Sequence, residues 1–144
     1  MIRKFAMVGV VTACFVNAGA QTQQEAPHAA TRQIFSRHVP AAGVSLRVSL
    51  IEVTYPPGGA SPVHSHGCPV LGYVESGALR MRVRGEPERI CKAGESFYEA
   101  ANGIHEISAN ASQTEPASFL AYFVCDGDQP LTSDVSAHHG LENK

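Results

Sequence analysis

Tryptophan is absent from the 144 residues, and charge is sparse, with Asp, Glu, Lys and Arg making up 17%. An average soluble chain carries roughly 25%. So little charge excludes a coiled coil and a solvated disordered chain. A surplus of one sign is missing too: 11 basic against 13 acidic residues give a net charge of −2. No basic field is available for nucleic acid, and none is expected as a partner. Beyond the N-terminus no apolar run approaches the ~20 residues of a spanning helix. Sustained helical periodicity is also lacking, and the length holds one domain at most, which excludes a multidomain enzyme. No Ser–His–Asp pattern, phosphate-binding loop or dinucleotide fingerprint is present.

What the sequence does have is 13 glycines, 9 prolines and 7 histidines. Its first twenty residues form an address. Arg3 and Lys4 precede an apolar stretch, Phe5 to Val16, and Ala18-Gly19-Ala20 follows. That is the pattern of a secretory signal peptide cut before Gln21. The expected location is periplasmic or secreted, with no membrane attachment after cleavage. A second reading takes Val11-Thr12-Ala13-Cys14 as a lipobox, with Cys14 lipidated. The mature chain would keep Cys68, Cys91 and Cys125. An exported compartment permits disulfides. Three cysteines allow one internal bridge and leave one thiol, and the sequence does not select the pair.

Residues 21–32 are polar, rich in Gln and Ala, and read as a flexible linker. From Gln33 the texture changes. Val44 to Tyr55 alternates apolar with polar residues and predicts a strand that Pro56-Pro57-Gly58-Gly59 stops. Val70 to Glu75, Ala78 to Arg84, Glu88 to Cys91, Glu95 to Glu99, Ile104 to Ser108 and Ser118 to Cys125 are further strands. In Ala78–Arg84 the apolar face is Leu79, Met81 and Val83, and Arg80, Arg82 and Arg84 read as a solvated outer stripe. Short strands at turn-marked intervals of 8–12 residues predict an all-β sandwich or barrel over 33–127. Residues 128–144, including His138-His139, lose the pattern and read as a loose or surface-wrapping tail.

His64 and His66 are two residues apart in an extended stretch, so their imidazoles point to one side. His105 lies in a later strand that can pair nearby. Imidazoles gathered in an interior suit Fe, Mn, Ni, Cu or Zn.

Here the chain resembles a family. Gly58, His64-Ser65-His66 and Gly77 match the first cupin motif, G-x5-H-x-H-x(3,4)-E-x6-G, and Gly94 to His105 is similar to the second, G-x5-P-x-G-x2-H-x3-N. The resemblance covers about residues 44–125, like that of small exported bacterial cupins. It implies a cupin jelly roll (a double-stranded β-helix barrel) with a short N-terminal arm. It also implies a divalent transition metal held by His64, His66 and His105. Departures are specific. Val70 or Leu71 stands for the first-motif Glu, Ala100 for Pro and Asn102 for Gly, and Ala109 for the terminal Asn, with Asn110 adjacent.

Glu99 and Cys68 are the candidates to replace the missing carboxylate. Glu99 would serve as ligand or hydrogen-bond partner if it points inward, and is a solvated side chain if it points outward. Cys68 is a soft ligand or half of a disulfide. Tyr73 and Phe97 read as core or pocket wall, and an inward Tyr73 hydroxyl would touch substrate. Three facial imidazoles leave positions open for substrate and O2, as in non-haem iron oxygenases, so a dioxygenase-type enzyme is the first expectation. A non-catalytic module for a sugar or small acid, and a redox-inert isomerase or lyase, are the alternatives. Gln33 to His38 would serve as the pairing arm of a homodimer.

Overall fold

The computed structural model describes residues 26–41 and 43–135. The expected signal peptide, Cys14 and the His138-His139 pair lie outside the described residues. Among the described residues ten strands are formed: β1 (Ala30–Ala41), β2 (Val44–Tyr55), β3 (His64–Ser65), β4 (Val70–Ser76), β5 (Ala78–Val83), β6 (Arg89–Lys92), β7 (Ser96–Glu99), β8 (Ile104–Asn110), β9 (Ala117–Asp126) and β10 (Ser133–Asp134). Among the described residues there is no helix long and apolar enough to cross a membrane. The strands make two five-stranded antiparallel sheets, ordered β1-β2-β9-β4-β7 and β10-β3-β8-β5-β6. This is the all-β sandwich that the alternation predicts, with the jelly-roll form that the cupin resemblance implies.

Period-2 patterning fills the interior. On β9, Ala117, Phe119, Ala121, Phe123 and Cys125 are buried and the residues between them are not. On β4, Val70, Gly72 and Val74 point in, while Leu71 and Tyr73 point out. Gly72 is obligatory for packing: Phe97 sits opposite it on β7, and a Cβ at position 72 would lie 1.9 Å from the Phe97 ring. Gly77 turns β4 into β5 with φ +70, and a Cβ there would meet Pro116 O at 2.7 Å. Asn110, adjacent to the expected terminal Asn position, is buried. Its Nδ2 donates to Pro56 O at 3.0 Å and Glu115 O at 2.8 Å, which ties two loops together.

The arginine stripe is outward and paired, with Arg80 Nε 2.7 Å from Glu88 and Arg84 Nε 3.0 Å from Glu106. The outer face of the first sheet carries a different texture. Phe35, Leu50, Tyr122, Leu71 and Tyr98 follow one another in register across all five strands.

Both ends of the described residues pair within the chain. The linker read over 21–32 ends sooner, because Ala30, Thr31 and Arg32 already pair with Thr54, Val53 and Glu52. The arm Gln33–His38 is used within the chain, as part of β1 against β2. The tail is not loose throughout: Ser133 and Asp134 pair with Ser65 and His64. Cys68 and Cys125 form the one disulfide among the described residues, with Cα atoms 5.0 Å apart, and Cys91 is the free, buried thiol. Cys68 is therefore not a metal ligand.

Candidate metal centre

The two sheets bring their inward residues together at one end of the barrel. His64 faces His105 directly across β3 and β8. Their rings stack, with centroids 5.0 Å apart and planes 18° apart. Strand alternation carries His66 to the same side as His64, and its ring centroid lies 4.9 Å from that of His64 and 5.1 Å from that of His105. A β-bulge on β8 adjusts the aim. Met81 pairs with Ser108 and Val83 with His105, so one extra residue lies between them and both Ser108 and His105 face inward.

Glu99 comes from the opposite sheet. It is 6% exposed, with Oε2 3.6 Å from His66 Nε2 and Oε1 3.4 Å from His105 Nδ1. The inward orientation of Glu99 is thereby fixed. Its cross-strand partner is Val70, the residue standing where the first motif has Glu. Directly opposed residues share a face and sit ~5 Å apart at Cβ. The carboxylate lost from β4 thus reappears one strand over, on β7, aimed at the same interior.

Hydrogen bonds fix the imidazoles. A carbonyl only accepts, so His66 Nδ1–H donates to Leu131 O at 2.8 Å and His64 Nδ1–H to Pro62 O at 2.7 Å. Both Nε2 atoms are left with a lone pair to offer. His105 Nε2 is buried without a hydrogen-bond partner. Burial drives His66 and His105 down to about 4, His66 against a backbone hydrogen bond to Leu131 and His105 with neighbouring His64 and His66 adding to the effect. Burial lifts Glu99 to about 7. The 3.4–3.6 Å contacts are accordingly not ion pairs between charged groups at neutral pH.

These residues fit a transition metal. One donor atom each from His66, Glu99 and His105 lies within 4.8 Å of the others, and all three residues are buried. Neutral imidazoles and a carboxylate are suitable donors for first-row divalent ions. An ion would also serve the orphaned nitrogen of His105, which is otherwise costly to bury. His64 stands beside this trio, its ring against both other imidazoles.

The centre opens on a cavity of about 570 Å3. Its walls include Ile51, Val53, Phe119 and Phe123. Tyr73 is not among them: it is 46% exposed on the outer face of β4, because Gly72 and Val74 take the inward positions. Phe97 is core. The sequence reading missed Leu131 and Thr132, which line the cavity and hold His66 Nδ1 from the tail, Thr132 Oγ1 at 3.3 Å. Only long-range pairing brings them there, and no local pattern marks them. Asn102, the departure from Gly, has φ 65, a conformation Asn tolerates, and its N–H donates to His66 O at 2.7 Å.

With fold and site described, the likeness to known proteins is definite. The cupin domain family matches residues 51–124, just over half of the chain, and this chain belongs to that family. No curated protein matches. Among solved structures, the DMSP lyase DddQ from Ruegeria pomeroyi DSS-3 is similar at TM-score 0.60 and 15% identity, over 76% of this chain and 53% of that one. A cupin domain from Bordetella pertussis tohama I is similar at TM-score 0.56 and 20% identity, over 71% of this chain and 98% of that one. An oxalate oxidase in complex with the substrate analogue glycolate is similar at TM-score 0.51 and 27% identity, over 61% of this chain and 46% of that one. This chain therefore spans about half the length of the lyase and of the oxidase.

Proposed function

We propose that this cupin is an exported metalloenzyme that acts on a small molecule, with a divalent transition metal held by His64, His66, His105 and Glu99. The observation that carries the reading is the convergence of His66, Glu99 and His105 donor atoms to within 4.8 Å at the head of the cavity. Such a metal supplies a Lewis acid and, when redox-active, a partner for O2. The chain's own residues do the rest. His66 is held in one tautomer by Leu131 O, and His64 by Pro62 O. The apolar walls, Ile51, Val53, Phe119 and Phe123, offer water no hydrogen-bond partner. The dioxygenase type is the form we favour, since the cavity leaves one side of the donor set open to substrate. The leader and the Cys68–Cys125 disulfide support work in an oxidising compartment.

A specific observation favours a second reading, redox-inert lyase or isomerase chemistry. A buried carboxyl lifted to about 7 matches the range in which a group both takes and gives a proton. Glu99 would then move a proton at its Oε atoms beside a metal held by histidines alone.

The test is elemental analysis of the protein purified without a histidine tag and without added metal, followed by O2-uptake measurements. Near-stoichiometric iron, manganese, nickel, copper or zinc is expected. No metal even after reconstitution would overturn the proposal. Glu99→Gln separates the two readings: about tenfold or greater loss of metal affinity assigns a ligand, and full metal with lost turnover assigns a proton carrier.

A further inference from the structure

The cavity is built from two chemically different regions. One holds His64, His66 and Glu99, with His105 behind them. The other holds a cluster of three hydroxyls, with Tyr55 Oη 2.7 Å from Ser61 Oγ and 2.9 Å from Ser108 Oγ. All three residues line the cavity, and Tyr55 is 1% exposed. Three hydroxyls own three hydrogens, and the two contacts among them use two. One O–H is left to donate, inside a space where an unused donor is costly. Ser108 faces Met81 and His105 faces Val83, two residues further along β5, so about 7 Å of strand separates the cluster from the imidazoles. Between them the wall is apolar, contributed by Val53, Phe119 and Ala121.

Charge in the cavity is one-sided. Glu99 and Asp134 line it, and among the described residues no Lys or Arg does. A second carboxylate on a ligand would face apolar wall and hydroxyls with no cation to pair it, and an unpaired buried charge is strongly disfavoured.

Building on the metal-centre reading, we infer that the substrate is an uncharged monocyclic molecule of the phenol or aryl-ketone class, its oxygen acceptor held by the Tyr55–Ser61–Ser108 cluster and its other end turned to the metal. A six-membered ring with a polar group at each end fits the separation, and its faces meet Phe119 and Val53. A dicarboxylate of the same length is excluded by the missing cation.

The test uses calorimetric titration of the full chain, zinc-loaded and in EDTA, with 4-hydroxyacetophenone and with terephthalate. The two share a ring and span and differ in charge. The neutral probe is expected to bind at least about tenfold more tightly than the dianion. Ser108→Ala and, separately, Ser61→Ala are expected to weaken the neutral probe about tenfold with zinc content unchanged and the circular dichroism spectrum retained. Terephthalate binding as tightly, neither probe binding, or both serine variants keeping affinity within about twofold would overturn the inference. Failure of zinc to load would instead count against the metal centre. In that case the EDTA titration still reads the cluster, because its serine dependence does not involve the ion.

Discussion

Strands β2 and β9 run 12 and 10 residues and pair along Leu46–Tyr55, whereas β3 is two residues long. The long pair supplies the apolar wall of the cavity, and the short strand with the residue just past it supplies two of the three imidazoles, His64 and His66. Alternation alone suffices on the long pair, because every second residue faces in whatever happens at the ends. The short strand has no such momentum. It is held from outside by β8 and β10, by the Leu131 carbonyl, by the Asn102 amide and by the disulfide that starts two residues after His66. Bulk in this protein is maintained by repetition, and chemistry by individual tethers.

Cutting a tether should separate the two regions. The largest effect is expected from Cys68→Ala with Cys125→Ala. The bridge spans 57 residues of sequence, and the chain-entropy account gives about 4 kcal/mol for a loop of that size. Urea denaturation checks it. A loss below ~1 kcal/mol would mean that the β2–β9 ladder fixes the loop without help.

His66→Ala or His105→Ala comes next. Each should lower metal affinity at least about 100-fold, read by competition with a chromophoric chelator, while the far-ultraviolet spectrum of the β2–β9 ladder stays in place. Unchanged affinity would remove the altered residue from the ligand set.

Truncation after Asp128 removes Leu131 and Thr132 and leaves His66 Nδ1–H without its acceptor. Loss of such an outer partner typically costs 10–100-fold in affinity, so a decrease of about tenfold is expected with folding retained. A tail without effect would reduce β10 to decoration.

The remaining effect is in pH. His66 and His105 are depressed from 6.5 to about 4, so stability present above about 6.5 is lost as pH falls toward 4. Glu99, raised from 4.5 to about 7, acts the other way, losing stability as pH rises through that range. Two histidines outweigh one carboxyl, and His64 is lowered too. The metal-free chain should therefore lose roughly 1.4 kcal/mol per pH unit on acidification from 6.5 to 4.5. Glu99→Gln should steepen that slope, and denaturation midpoints in EDTA across that range would reveal a flat profile if the cluster were solvated.

The long elements were legible from sequence and the tethers were not. Val44–Tyr55 has its bounds written in alternation and in the Pro-Pro-Gly-Gly stop, and β2 occupies those residues. That His64 and His66 share a side was legible because they stand two residues apart on extended chain, whereas the place of His105 beside them came with the cupin resemblance. The relocation of the carboxylate was only half legible. Glu99 was an evident candidate, but its place opposite Val70 is a matter of register between β4 and β7, which neither strand encodes alone. Tyr73 was misplaced for the same reason: whether Gly72 or Tyr73 faces in depends on the sheet that β4 joins. The tail carries no periodicity, and its role arises from pairing across some 70 residues with β3.

The row of residues across the outer face has a spectroscopic consequence. The chain has no tryptophan and four tyrosines, and three of these, Tyr73, Tyr98 and Tyr122, lie on the outer face of the first sheet. Only Tyr55 looks into the cavity. Intrinsic emission therefore reports chiefly on the outside of the barrel and changes little when something enters it. With the three outer rings replaced by phenylalanine, the remaining fluorophore becomes a single reporter seated at the hydroxyl end of the cavity, and the protein becomes its own optical probe.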